Sequence, residues 1–528
     1  MNTAAQDQAR TKLRRSVYAV MICAAAGMML GRILSVDAVD QRAIEQVRIR
    51  QGLDRKRAEL RRRQEAGELT EARVQVAMEK EEARLRERIQ LARPFLSAND
   101  RSRWLMMRAL VEPEMRVPGA PYSIDRLMES PAWDAWGTID MIQRKPTGHF
   151  YSSKPPLLPT IMAGSYWLIY QATGMTLGSH PFVVGRILLI LWNVLPMAVY
   201  LVVIAALIER FGQTDFTRVF MMGAATFGTF LTTFATVLNN HLPAAVCVAI
   251  ALYALVRIWF DGDRRLRMFA VAGFFAAMAA ASDLPAAAFT ALVSVTVLAI
   301  APKATLLAYV PAAAIVTAGF LGTNWIAVQS LKPAYMHRSE TDPEKNWYDY
   351  EFHIRGEYEQ RDGQKQRRIR ESHWRNPVGI DLGEPSPAVY AFHVLVGHHG
   401  IVSLTPIWLM SLAGAVMWLF GGDTGKLRWL ALLIALATLA CLTFYLTRGA
   451  VYRNYGGVTS GLRWAFWLTP LWLVLAFPAA DRMARNPWTR GLALVLLILS
   501  TLSVSYPTWN PWTHPWLMDW VYWMGWRG

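Results

Sequence analysis

Long apolar runs recur along this chain, at about residues 17–34, 183–208, 219–238, 242–260, 268–282, 284–301, 304–326, 400–420, 428–447, 462–479 and 489–506. They are almost free of charge, and many reach the roughly 18–20 residues that a helix needs to cross a bilayer. Soluble proteins of 528 residues do not combine such runs with a hydrophobic content of 53%. The reading is an all-α polytopic membrane protein with about eleven transmembrane helices and two large loops on its outer face.

The net charge of +16 would point to nucleic acid in a soluble chain. Here it fits cytoplasmic loops enriched in Lys and Arg, and no nucleic-acid partner is expected. Cys23, Cys247 and Cys441 all lie in apolar runs, so neither a disulfide framework nor a Cys-based metal site is readable.

Charge also orients the chain. Arg10, Lys12, Arg14 and Arg15 precede the first run and place the N-terminus inside. Ala24-Ala25-Ala26 resembles a cleavage region, but the length of the run and the spans after it favour an uncleaved first helix. The apolar segment 157–170 decides the rest. If it lies on the membrane surface, the basic loops holding Arg210 and Arg218, Arg257 to Arg267, Lys303, Lys426 and Arg428, and Arg482 to Arg490 all face the cytoplasm. If it crosses, all of them flip outward. A surface helix at 157–170 is therefore expected.

The layout that follows is a cytoplasmic N-terminus and first helix (1–35), an outer loop (36–182), central spans (183–326), a second outer loop (327–399), and C-terminal spans with a Trp-rich tail (400–528). Within the first loop, 37–92 is rich in Arg, Glu, Gln and Ala, lacks proline, and breaks once at Glu65-Ala66-Gly67-Glu68. It predicts a helical hairpin with a narrow, coiled-coil-like seam of Ile44, Val47, Leu53, Leu60, Val74, Leu85 and Ile89. Such an insertion is either simply solvated or a docking surface. Trp509, Trp512, Trp516, Trp520, Trp523 and Trp526 predict an interfacial belt beside the last span.

The polar groups worth weighing all fall on the expected outer face. Lys154, in Tyr151-Ser152-Ser153-Lys154-Pro155-Pro156, is the last charge before the 157–170 segment. Rigid backbone around a fixed cation at a membrane edge suits a lipid-linked phosphate, and it equally suits a snorkelling lysine. Arg103 and Arg463 offer forked donors for the same anion. Asp100, flanked by Arg101 and Arg103, is expected to stay ionised and to act as general base toward a hydroxyl. Asn239-Asn240-His241 and Ser282-Asp283 are polar turns between apolar runs. The second loop adds His373, Arg375, Asp381, His393, His398 and His399, and the last outer turn adds Arg448, Arg453 and Arg463. The adjacent pair His398-His399 is weak evidence for a shared ion, because neighbouring helical side chains diverge by about 100°. No phosphate-binding loop, dinucleotide fingerprint, zinc-protease or nucleophile-elbow motif stands in a suitable context.

Three features resemble the polytopic GT-C glycosyltransferases, in the branch of the lipid A aminoarabinose transferase and the protein O-mannosyltransferases. An early span is followed by a large outer loop, Asp100-Arg101-Ser102-Arg103 matches an Asp-x-x-Arg motif, and Lys154-Pro155-Pro156-Leu157-Leu158 matches a Lys-Pro-Pro stretch leading into a surface helix. The likeness covers roughly 17–35 and 94–330. It implies an enzyme of the cytoplasmic (inner) membrane that moves a sugar from a polyprenyl-phosphate donor to a glycan, lipid or protein acceptor outside. It implies Asp100 as base, Arg103 as the motif arginine that orients Asp100 or the phosphate, and Lys154 near the donor phosphate. The outer-face residues Tyr151, His149, His241 and Arg463 join Lys154 as the expected substrate-binding set. No metal ligand is assigned, and a divalent cation is left open as cofactor. Arg101 stands where Glu is common, and Asn239-Asn240-His241 stands where many relatives place an acid. A single base with cationic phosphate stabilisation is what these residues allow. Two other classes remain as alternatives: a transporter or flippase of a lipid-linked or anionic substrate, and a membrane scaffold. The scarcity of charge within the spans weighs against a transmembrane path.

Overall fold

In a computed structural model, which describes residues 3–36, 40–88, 95–129, 133–338, 340–361, 364–422, 424–508 and 510–526, seven helices are long and apolar enough to cross a membrane. They are Gln6–Ser35, Pro181–Phe211, His241–Trp259, Pro302–Val328, Lys426–Leu446, Arg463–Met483 and Pro487–Ser505. Leu266–Ser282, Leu284–Ile300 and Trp408–Phe420 are shorter apolar helices beside them. The chain is a predominantly helical, multi-pass membrane protein.

Two expected spans are not single long helices. Over 400–420 the chain forms a short turn, Ile401–Leu404, and then Trp408–Phe420, itself thirteen residues. Over 219–238 the chain forms a helix, Asp215–Phe227, and then a single turn, Leu231–Phe234. Thirteen residues rise only about 20 Å, short of a hydrocarbon core of about 30 Å. The helix stops at Gly228 in a threonine-rich stretch, where the Thr226 hydroxyl donates back to the Met222 carbonyl at 2.7 Å. Carbonyls freed by the break find side chains instead. Asn193 donates to Ala235 and Val237 at 2.8 and 2.9 Å, and Asn239 donates to Phe234 at 2.9 Å. Buried irregular backbone is tolerated on those terms. Asn193 itself sits in a π turn, Ile190–Val194, just before Pro196, whose ring nitrogen cannot join the helical ladder.

The first helix, α1 (Thr3–Ser35), runs antiparallel to Pro181–Phe211. At one end Arg14 pairs with Glu209 and Asp215 at 3.0 and 2.7 Å, and at the other Arg186 donates to the Leu34 carbonyl at 3.0 Å. The segment joining the two helices therefore starts and finishes at the same end of the bundle. Leu157–Thr173 belongs to that segment, and its Tyr166 hydroxyl donates to Glu112 at 2.6 Å. Asp481, near the end of Arg463–Met483, accepts the Gln213 and Thr214 amides at 3.0 and 3.2 Å, beside the Arg14 end. Arg463, at the opposite end of the same helix, thus lies away from the N-terminus.

Next come α2 (Asp40–Glu65) and α3 (Glu71–Arg88), packed on each other across a break at Gly67, whose φ of +75° favours glycine. Residues 37–39 and 89–92 of the expected hairpin, including Ile89, lie outside the described residues, as does Trp509. After them stands α4 (Ala98–Val111). Both long loops also carry strands that the all-α expectation omitted. β1 (Met141–Gln143) pairs with β2 (Phe150–Ser152), and β3 (Glu351–Arg361) with β4 (Gln364–Glu371), both antiparallel. The tail is not one belt. Trp523 and Trp526 are exposed, Trp516 donates to Ser503 at 2.8 Å, and Trp512 is buried.

Candidate functional site

Ser97 caps α4, its hydroxyl accepting the Asn99 and Asp100 amides at 3.1 and 3.3 Å. One turn apart on the same face, Asn99 and Arg103 meet. Arg103 Nη1 donates to the Asn99 carbonyl at 3.1 Å and to its side-chain oxygen, while Nη2 reaches Asn240 Oδ1 at 2.6 Å.

The β1–β2 hairpin sets the second pair of groups. Gly148, at φ +72°, makes the turn possible. The register places Met141 opposite Ser152, and one step further the Ser153 amide donates to the Asp140 carbonyl at 3.1 Å. α4 holds this junction, because Ser102 donates to the same carbonyl at 2.5 Å and shares a hydrogen bond with Ser152 at 2.7 Å. Asp140 and Lys154 therefore emerge together, Oδ1 to Nζ 2.8 Å. Pro155 and Pro156 follow at once and begin Leu157–Thr173.

Two polar turns and the start of Arg463–Met483 close the ring. Asn240 donates to the Ser282 carbonyl at 2.9 Å. Arg463 Nη1 donates to His241 Nε2 at 3.2 Å, so His241 Nδ1–H is left to donate to Asp283 Oδ2 at 2.6 Å. Arg463 Nη2 donates to the Gly456 carbonyl at 2.5 Å, and Trp512 lies under the guanidinium at 5.0 Å.

These groups line one cavity of about 520 Å³. Its ionisable wall is Arg103, Lys154, Arg338, Arg448 and Arg463 against Asp140, Asp283 and Asp381, an excess of cation. Tyr335, Tyr348, Trp374 and Tyr452 supply aromatic surface. Burial pushes the Lys154 ammonium down to about 8, against the pull of Asp140 and with further repulsion from Arg103 and Arg463. Burial and then Arg463 lower Arg103 to about 10. Burial alone would raise Asp140, but Lys154, Arg463 and Arg103 hold its carboxyl below the usual range. Crowded, desolvated cations of this kind favour an arriving anion.

The structure brings Arg103, Lys154, His241 and Arg463 together and separates three other expected residues from them. Asp100 is almost completely buried and does not line the cavity. Its carboxylate accepts from the Ser97 hydroxyl and borders a small cleft with Phe182 and Leu238. Helical phase explains this, since Asn99 and Arg103 take the cavity face and Asp100 is turned about 100° from Asn99. Burial raises its carboxyl to about 6, outweighing Ser97, Arg101 and Arg103. Arg101 bonds the Gly137 and Phe95 carbonyls, both at 2.9 Å. His149 pairs with Asp125 at 2.6 Å, and Tyr151 is packed with Ala327 and Trp347. Both shape the loop instead of the cavity.

The carboxylates on the wall are Asp140, which the sequence reading passed over, and Asp283 and Asp381. Asp381 accepts from Asn454 at 2.8 Å and lies 3.2 Å from His373. Only the strand–turn–strand pattern around Gly148 could have signalled Asp140. In the cavity Asp140 and Asp283 each face a basic partner, Lys154 and His241. No family model matches the chain, and neither a curated protein nor a solved structure matches it.

Proposed function

We propose that this protein is a GT-C-like membrane glycosyltransferase with about eleven spans, working at the outer face of the cytoplasmic membrane. It takes a sugar from a polyprenyl-phosphate donor and passes it to an acceptor hydroxyl on a glycan, lipid or protein. The observation that carries this reading is the trio of buried Arg103 and Arg463 with partly buried Lys154 on one cavity wall, Asp140 beside them. Its place at the bundle end opposite Arg14 supports an outer-face site once the basic N-terminus is set inside.

In the proposed reaction the donor phosphate draws Lys154 away from Asp140 and sits among the three cations. Asp140 takes the acceptor hydroxyl proton as the oxygen attacks the anomeric carbon. The bond from that carbon to the phosphate oxygen breaks, and the polyprenyl phosphate leaves with the electron pair. A single displacement inverts the anomeric centre. The protein's contribution is orientation, a base, and fixed positive charge where the leaving oxygens gain charge. Asp140 thus takes the role that motif position gave to Asp100. The His241–Asp283 pair holds Arg463 in place. Mass spectrometry of polyprenyl-linked sugars and surface glycans, in cells with and without the gene, tests this. Loss of one glycoform with build-up of its lipid-linked donor is expected, and unchanged pools of both contradict it.

A further inference from the structure

We propose that Glu384, His393 and His398 form a zinc-class divalent-metal site behind the cavity wall. The inference is independent of sugar transfer and rests on three local elements. Glu384 follows the turn Gly379–Leu382, and its amide donates to the Arg453 carbonyl at 3.0 Å. The helix Pro387–Leu395, capped by Ser386, presents His393. The chain then turns back through Gly397 and brings in His398. One donor atom from each residue lies within 4.8 Å of the others. His398 Nε2 stands 3.9 Å from Glu384 Oε1, and the His393 and His398 rings stack at 3.9 Å.

Two imidazoles and a carboxylate are a donor set that Zn²⁺ accepts, with a fourth position for water. Tetrahedral zinc with bonds of about 2.0–2.1 Å needs donors about 3.3 Å apart. The donors, now within 4.8 Å of one another, reach that spacing only if the side chains rotate on binding. Supporting groups are also in place. His399 Nδ1 lies 2.6 Å from His398 Nδ1, which leaves Nε2 to face Glu384. The Tyr455 hydroxyl donates to Glu384 Oε1 at 2.6 Å, and the His399 ring stacks on Tyr455 at 4.1 Å. Such outer partners orient ligands in established metal sites. Tyr455 stands between Asn454 and Gly456, which line the cavity, and Gly456 holds Arg463. A bound ion would therefore fix the wall on which Arg463 rests.

The test uses the full-length chain, purified without a histidine tag, stripped by chelator and titrated with Co²⁺ and then Zn²⁺. One equivalent of Co²⁺ with the visible absorption of a tetrahedral site is expected, displaced by Zn²⁺, along with a higher Tm for the zinc-loaded protein. H393A and H398A are expected to weaken binding by more than about 100-fold, beyond the loss typical of an outer-shell partner. E384Q, which keeps the shape of the side chain, abolishes the Tm gain. H373A, outside the cluster, leaves binding intact. No stoichiometric binding by the unaltered protein overturns the proposal, and so does binding that survives H393A, H398A and E384Q.

Discussion

Asp140 and Asp100 lie on opposite sides of the mechanistic question, though both flank the same helix end. Asp140 faces Lys154 across 2.8 Å inside the cavity, whereas Asp100 is tied to Ser97 beside a separate cleft. D140N is therefore expected to lower kcat by about 10²–10⁴-fold, the usual worth of a positioned base. D100N keeps kcat within about tenfold, because its side chain acts on the cap of α4 and not on the acceptor. Transfer assays on both variants in detergent check the contrast. Lys154 gives a second prediction. Its ammonium is held at about 8 in the unliganded protein, so it is charged below that pH and neutral above it. Apparent donor affinity falls as pH rises through about 8, and K154R flattens the profile because arginine stays protonated. Measuring donor KM between pH 7 and 9 checks this.

At the scale of elements, α4 is held by more than its apolar face. Glu112 is fully buried at its end, with Arg108 Nε at 2.8 Å, the Tyr166 hydroxyl at 2.6 Å and the Gly178 amide at 3.1 Å. One carboxylate thus joins α4 to Leu157–Thr173 and to the turn that follows it. E112A leaves Arg108 buried without its carboxylate and is expected to cost about 3–5 kcal/mol. Thermal unfolding of the detergent-solubilised protein reads this directly, and a change below about 1 kcal/mol would show that the pair is only decorative. Elements also mark how far the sequence could be read. Apolar runs without charge were legible as helices, and the break at Gly67 was legible as a turn. The failure at 219–238 was not, because the hydrogen bonds that make unwinding tolerable come from Asn193 and Asn239, far away or outside the run. The first hairpin was hidden for a similar reason. β1 and β2 have three residues each, too short for an alternating pattern. Asp140 is brought to Lys154 only by their register. Asp100 shows the reverse error, a motif position that helical phase turned away from the cavity.

Across the whole molecule, the connections Arg14 to Glu209, Leu34 to Arg186 and Asp481 to Gln213 determine which ends lie together. They place the cavity at the end opposite the N-terminus, which the loop charges assign to the cytoplasm. Cysteine labelling with an impermeant reagent checks the assignment. Q213C is expected to stay unlabelled in intact cells, and E114C, exposed in the first loop, to be labelled. The reverse pattern would invert the topology and put the cavity inside. The loop charges predict one shared face for these polar groups, but not that they lie beside one another. Their convergence depends on Asn240 bridging Arg103 to Ser282, and on His241 bridging Arg463 to Asp283. The most direct measurement is transfer itself, with purified protein, a labelled polyprenyl-phosphate sugar identified from the deletion strain, and the acceptor found there. Label is expected to pass to the acceptor with inversion, and D140N or K154A is expected to stop it while the protein stays folded and inserted. Full transfer by both variants, or none by the unaltered protein, would contradict the proposed activity.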